Sequence, residues 1–139
     1  MKYISFAIPC YNSEAYMEKA INSILVGGED VEIIVVNDGS KDGTQKIAER
    51  YQEKYPTIVK AVEKENGGHG DAVNCGLAHA TGKYFKVVDS DDWVDKEALK
   101  KILDAVKGFM DADSPVDMVI SNYVYEKVGM KHKKVIRYD

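Results

Sequence analysis

The chain has 139 residues, which suits one domain with its own core and leaves little room for two. Hydrophobic residues at 45% and charged residues at 30% exclude a disordered segment. Nineteen Lys and Arg against 23 Asp and Glu give a net charge of −4, which argues against a general nucleic-acid binder with its basic face.

Lys2–Ile8 is a short β-rich run closed by Pro9. Glu14–Leu25 is an amphipathic helix with Met17, Ala20, Ile21, Ile24 and Leu25 on one face, Asn12 or Ser13 as its cap, and Gly27–Gly28 as its end. Val31–Val36 (VEIIVV) is a β-branched run, interrupted at Glu32, of the kind buried on both faces of a sheet. Thr44–Tyr55 is a second helix, stopped by Pro56, with Ile47, Ala48, Tyr51 and Tyr55 inward. Thr57–Val62 is a weaker strand, and Asp71–Ala80 a short helix buried through Val73, Leu77 and Ala80. Lys83–Val88 is the fourth strand, and Lys96–Lys107 the fourth helix, with Leu99, Ile102, Leu103 and Val106 inward. Val116–Ser121 reads as a fifth strand and 122–137 as a hairpin broken near Gly129. The expected fold class is α/β: a doubly wound, mostly parallel sheet with helices on both faces and an edge hairpin near the C-terminus, all in one domain spanning 1–139. Cys10 and Cys75 lie far apart with no zinc spacing, as in two free thiols of a reducing cytoplasm. No apolar run approaches the roughly 20 residues of a membrane span, so any membrane attachment lies outside this chain.

Such sheets bind ligands beyond the carboxyl ends of their strands. Polar residues and glycines cluster after each strand: Pro9–Glu14, Asn37–Thr44, Glu65–Asp71 and Asp89–Trp93. Asp89-Ser90-Asp91-Asp92 is the strongest signal, because three carboxylates in four residues repel one another unless a cation sits among them. One Asp would suffice as a helix cap; three read as a site for Mg²⁺ or Mn²⁺, which keep waters and take phosphate oxygens. An EF-hand starting at Asp89 fails, with Val94 at its glycine and Lys100 at its glutamate. No P-loop is present, and no Gly-x-Gly-x-x-Gly follows the first strand. Asp38 can accept from a base imide or ribose hydroxyls, or simply cap its turn. Asn12 and Glu14 read equally as capping residues. His69 reads as a phosphate or sugar contact or as a solvated loop residue, and Trp93 as packing beneath the acidic loop in preference to a stacking platform.

Taken in order, these loops resemble the nucleotide-binding half of an inverting, GT-A fold glycosyltransferase of family 2. Pro9, Tyr11, Asn12 and Glu14 match Pro-x-Tyr-Asn-x-Glu, and Asp38–Thr44 match Asp-Gly-Ser-x-Asp-Gly-Thr, with Asn37 where another Asp is usual. Asn66, Gly68, Ala72, Asn74 and Gly76 match the glycine loop and its helix, with Val73 where arginine is usual. Asp89, Ser90 and Asp91 match Asp-x-Asp. The resemblance implies a cytoplasmic transferase of cell-envelope polysaccharide synthesis, at the inner membrane face in its full-length form. Its donor would be a UDP-sugar, and its acceptor a saccharide, lipid or protein. By the same resemblance Asp38 reads the base or ribose, Asp89 faces the ribose and metal-bound water, and Asp91 ligates the metal. Pro9, Tyr11, Asn12, Glu14, Asn37, Asn66, Gly68, Asn74 and Ser90 complete the nucleotide-sugar positions. The family's catalytic base lies past Asp-x-Asp, so none is expected before Asp139, and the chain reads as a donor half cut before the acceptor segment. A polyprenyl-phosphate sugar transferase and a non-catalytic nucleotide-binding module stay open. A sugar nucleotidylyltransferase does not, since Pro9–Glu14 lacks its glycine- and arginine-rich loop.

Overall fold

A computed structural model of the chain describes residues 2–111. Four parallel strands, β1 (Ile4–Cys10), β2 (Val31–Asp38), β3 (Val59–Lys64) and β4 (Tyr84–Val87), lie in the order β3-β2-β1-β4. Four helices follow them: α1 (Met17–Leu25), α2 (Thr44–Lys54), α3 (His69–His79) and α4 (Lys96–Asp111). The chain winds from β1 to β3 in one direction, then α3 carries it back across the sheet to β4. That reversal puts a topological switch point between β1 and β4, where the loops after the two strands diverge and leave a crevice. The expected fold class holds. The fifth strand and the hairpin expected over 116–137 lie outside the described residues.

β1 and β2 are buried along their whole length, and the two polar residues within their apolar runs bond each other, Ser5 Oγ donating to Glu32 Oε1 at 2.7 Å. One side of the sheet packs Ile4, Phe6, Ile8, Ile33 and Val35 against Met17 and Ile21 of α1, Ile47 of α2, and Leu99 and Ile102 of α4. The other side packs Ile34 and Val36 against Ala72 of α3. The inward residues expected for α4 are all buried.

Three local expectations change. β1 runs through Pro9 to Cys10 rather than stopping at Ile8. Ala7 O accepts Val88 N, so the odd residues of β1 turn their backbone toward β4, and β4 ends at Val87. The N–H that Pro9 lacks would face past that end, so the ladder loses nothing. α1 begins at Met17, not Glu14, because Ser13 O accepts the amides of both Tyr16 and Met17 in a preceding turn. No side chain caps that helix; Asn12 and Ser13 are used elsewhere. α3 begins at His69 and buries Ala72 and Gly76, while Leu77 is 53% exposed.

The phase of α3 follows from close packing. A Cβ at Gly76 would sit 2.7 Å from Ala7 Cβ, which is fixed to the β1 backbone and cannot yield. Small residues at 72 and 76 set α3 directly on the sheet, and this closeness brings its first turn to the rim. Cys10 is buried, and desolvation pushes its thiol up to about 12, so it packs as an inert apolar group. Gly76→Ala should destabilise the chain by about 1–3 kcal/mol in urea unfolding. An unchanged midpoint would mean that α3 does not rest on Ala7.

Candidate functional site

Asp38 is the last residue of β2 and is 4% exposed. Its Oδ1 accepts from Lys64 Nζ at 2.9 Å and from Gly67 N at 2.9 Å, and its Oδ2 accepts from Gly68 N at 3.1 Å. Burial pushes this carboxyl up, but the Lys64 ammonium and the two amides outweigh burial and hold it below the usual range. Asn66 Nδ2 donates to Asp38 O at 3.0 Å. The loop after β3 is thereby drawn across the end of β2. Gly39 makes room for it: its φ is +73°, and a Cβ there would lie 2.6 Å from Asn66 N. Asp38 does cap backbone amides, but those of the glycine loop rather than of its own turn.

The loop after β1 is fastened to the loop after β2. Asn12 N donates to Ser40 Oγ at 2.8 Å, and Asn12 Oδ1 accepts Lys41 N at 2.8 Å. Glu14 Oε1 accepts Gly43 N at 3.3 Å, while Asp42 accepts the amides of Glu14 and Thr44 at 3.2 and 2.9 Å. Asn37, fully buried, accepts Ser40 N and donates to Gln45 Oε1, both at 2.9 Å. Ser13 N donates to Thr44 Oγ1 at 2.9 Å, and Ser13 Oγ lies 2.7 Å from Ser90 Oγ. Ser13 therefore joins both loops to the acidic segment. Ser13, Asp42 and Thr44 carry the geometry, and the sequence reading assigned them no role in the site. The Asp-x-Thr spacing is a recognisable N-terminal capping pattern, whereas Ser13 gives no sequence signal.

After β4, Val88 is buried, and Asp92 N donates to Asp89 O at 3.0 Å to close a turn. Asp92 is 2% exposed, and its Oδ1 accepts Trp93 N at 3.0 Å. Asp89, Ser90 and Asp91 face outward into a lobe of 360 Å³ that they share with Pro9, Tyr11, Tyr16 and His69. A neighbouring lobe of 280 Å³ is lined by Pro9, Cys10, Tyr11, Asp38, Asn66, Gly68, His69 and Ala72. Pro9, Tyr11 and His69 line both, so the two lobes form one groove across the switch point. His69 Nε2 lies 3.1 Å from Asp89 Oδ1 at the junction. Trp93 does not pack beneath the acids. It is 40% exposed, and the Lys19 ammonium sits 3.7 Å above its ring.

Of the residues expected at a nucleotide-sugar site, Pro9, Tyr11, Asp38, Asn66, Gly68, Asp89, Ser90 and Asp91 meet in this groove. Asn12, Glu14 and Asn37 stand behind it as fasteners between loops. Asn74 is exposed on α3 and lines neither lobe. Asp89 and Asp91 are the groups that could hold a metal. Among the described residues no three His, Cys, Asp or Glu side chains converge into a complete cage. No described helix is long and apolar enough to cross a membrane.

Comparison with known proteins agrees with this geometry. Residues 5–135 match the model of glycosyl transferase family 2. The minor teichoic acid biosynthesis protein GgaB of Bacillus subtilis is 38% identical over 102 residues, covering 71% of this chain and 11% of that protein. The crystal structure of Staphylococcus aureus TarS in complex with UDP-GlcNAc is 36% identical with a TM-score of 0.66, covering 80% of this chain and 32% of that one. A mannosyltransferase of Pyrobaculum calidifontis, solved with GDP-Man and Mn²⁺, is 27% identical with a TM-score of 0.65, covering 72% and 31%. The chain thus spans about a tenth to a third of the length of these relatives. It belongs to glycosyl transferase family 2.

Proposed function

We propose that the groove binds a UDP-sugar together with Mn²⁺ or Mg²⁺, as the donor side of an inverting transfer to an acceptor hydroxyl. The observation that carries this reading is the continuity of the two lobes: a buried carboxylate in one, two outward carboxylates in the other, and Pro9, Tyr11 and His69 shared between them. The TarS complex with UDP-GlcNAc supports a uridine donor. The teichoic acid assignment of GgaB supports an acceptor on a cell-envelope polymer.

The nucleoside end occupies the Asp38 lobe in this reading. Asp38 Oδ2 accepts from Gly68 N at 3.1 Å and from Asn66 Nδ2 at 3.4 Å, and an imide N–H or a ribose hydroxyl would take the place of the longer of these bonds. Tyr11, 50% exposed at the junction, offers its ring to the base. The diphosphate lies in the acidic lobe. Asp91 and Asp89 are hard oxygen donors on an open surface, and two carboxylates leave coordination positions for water and phosphate oxygens. That donor set fits Mg²⁺ or Mn²⁺, which when bound would neutralise charge on the departing diphosphate. Ser13 and Ser90 keep the acidic segment in register with the loop that carries Tyr11. In the transfer the acceptor hydroxyl oxygen bonds to the anomeric carbon from the side opposite the diphosphate, its proton passes to the general base that the family resemblance places past Asp-x-Asp, and the C–O bond to the diphosphate breaks so that the nucleoside diphosphate leaves.

Two outcomes follow. In calorimetric titrations with UDP, GDP and CDP, UDP should bind best and only with Mn²⁺ present, and Asp91→Ala should weaken it at least tenfold. Equal binding in chelator would remove the cation from the account. Because Asp38 is held below the usual carboxylate range, its contribution to stability is complete above about pH 4 and fades as pH falls through its folded value. Asp38→Asn should therefore cost about 1–3 kcal/mol in urea unfolding at pH 7, and the gap from the unaltered chain should narrow at pH 3. A gap independent of pH would contradict the charged clamp.

A further inference from the structure

We infer that His69 is a positioning residue that sets Asp89 for the diphosphate and so couples the two lobes of the groove. The inference rests on the functional reading above and goes beyond it, because it concerns how the two halves of one ligand are read together. Three observations carry it. His69 is one of three residues that line both lobes, and of these it alone touches an acidic-loop carboxylate through its side chain. It opens α3 immediately after Gly67 and Gly68, whose amides are fixed by Asp38 at 2.9 and 3.1 Å. Its Nε2 meets Asp89 Oδ1 at 3.1 Å.

An ionised carboxylate only accepts, so Nε2 carries the proton and donates to Asp89. A continuous chain results: Asp38 holds the Gly67–Gly68 amides, these place His69, and His69 holds Asp89. The imidazole takes Asp89 Oδ1, on a carboxylate that lines the lobe it shares with Asp91. The imidazole is 64% exposed, so its contact with Asp89 rather than burial fixes its direction. Val73 stands one turn further along α3, and its side chain offers nothing to an anion. Here the N–H donor at the junction is His69.

The test is calorimetry of the full chain with two probes, uridine and UDP plus Mn²⁺, on His69→Ala and His69→Gln. Partners that orient a metal's carboxylate ligand are worth about 10–100-fold in affinity. His69→Ala should weaken Mn²⁺–UDP about tenfold and leave uridine within about twofold. His69→Gln, whose amide nitrogen can donate from a similar position, should restore Mn²⁺–UDP to within about threefold. The inference is overturned if His69→Ala leaves Mn²⁺–UDP unchanged, if uridine weakens in parallel, or if His69→Gln fails as badly as His69→Ala. Failure of the unaltered chain to bind Mn²⁺–UDP overturns the donor-site reading and this inference together. An unchanged His69→Ala beside a binding parent overturns this inference alone.

Discussion

The groove depends on a buried negative charge at the end of β2. An isolated carboxylate in the place of Asp38 would cost several kcal/mol to desolvate. Lys64 and two backbone amides offset that cost, and all three come from the end of β3 and the loop beyond it. Burying the carboxylate with these partners requires that loop to fold over β2, where Asn66 Nδ2 also donates to Asp38 O and Lys64 also pairs with Asp71. Satisfying one charge thus builds one wall of the lobe that Asp38 lines and starts α3 where it does. Gly39 and Gly76 give the clearance this needs, one beneath the loop and one beneath the helix.

The sheet supplies the rest. Parallel strands point all their carboxyl ends one way, and the reversal between β1 and β4 opens the rim at the place where the Tyr11 and Asp89 loops meet. The carboxylates that line the groove, Asp38, Asp89 and Asp91, have the wrong sign for a diphosphate on its own. A divalent ion reverses that sign locally. On the proposed reading, such an ion would let a chain of net charge −4 take an acidic donor, and the open lobe would leave its other positions to water and phosphate oxygens.

Much of this was legible in the sequence, and the missing part has a common cause. Alternating strand and helix periods gave the architecture, and the residues after each strand gave the rim. Those are local signals. Contacts across roughly thirty positions were not legible: Asn12 to Lys41, Glu14 to Gly43, and Ser13 to Ser90 across still more. Asn12 and Glu14 therefore read as helix caps, although their bonds join two loops. The phase of α3 was misread because Leu77 is more apolar than Gly76, and burial there is decided by the clearance above Ala7 rather than by hydrophobicity. Trp93 was placed inward for the same reason, whereas a lysine on α1 covers its exposed face. The early stop assigned to β1 followed a sound rule about proline that fails where no strand stands on the side its missing N–H would face.

The most direct measurement is anomalous diffraction from crystals of the chain grown with UDP and MnCl₂. The account predicts one manganese peak against the Asp91 and Asp89 carboxylates, contiguous with the diphosphate, and the uracil in the lobe beside Asp38. A manganese ion elsewhere on the surface, or UDP seated away from Asp38 and Asp91, would contradict it.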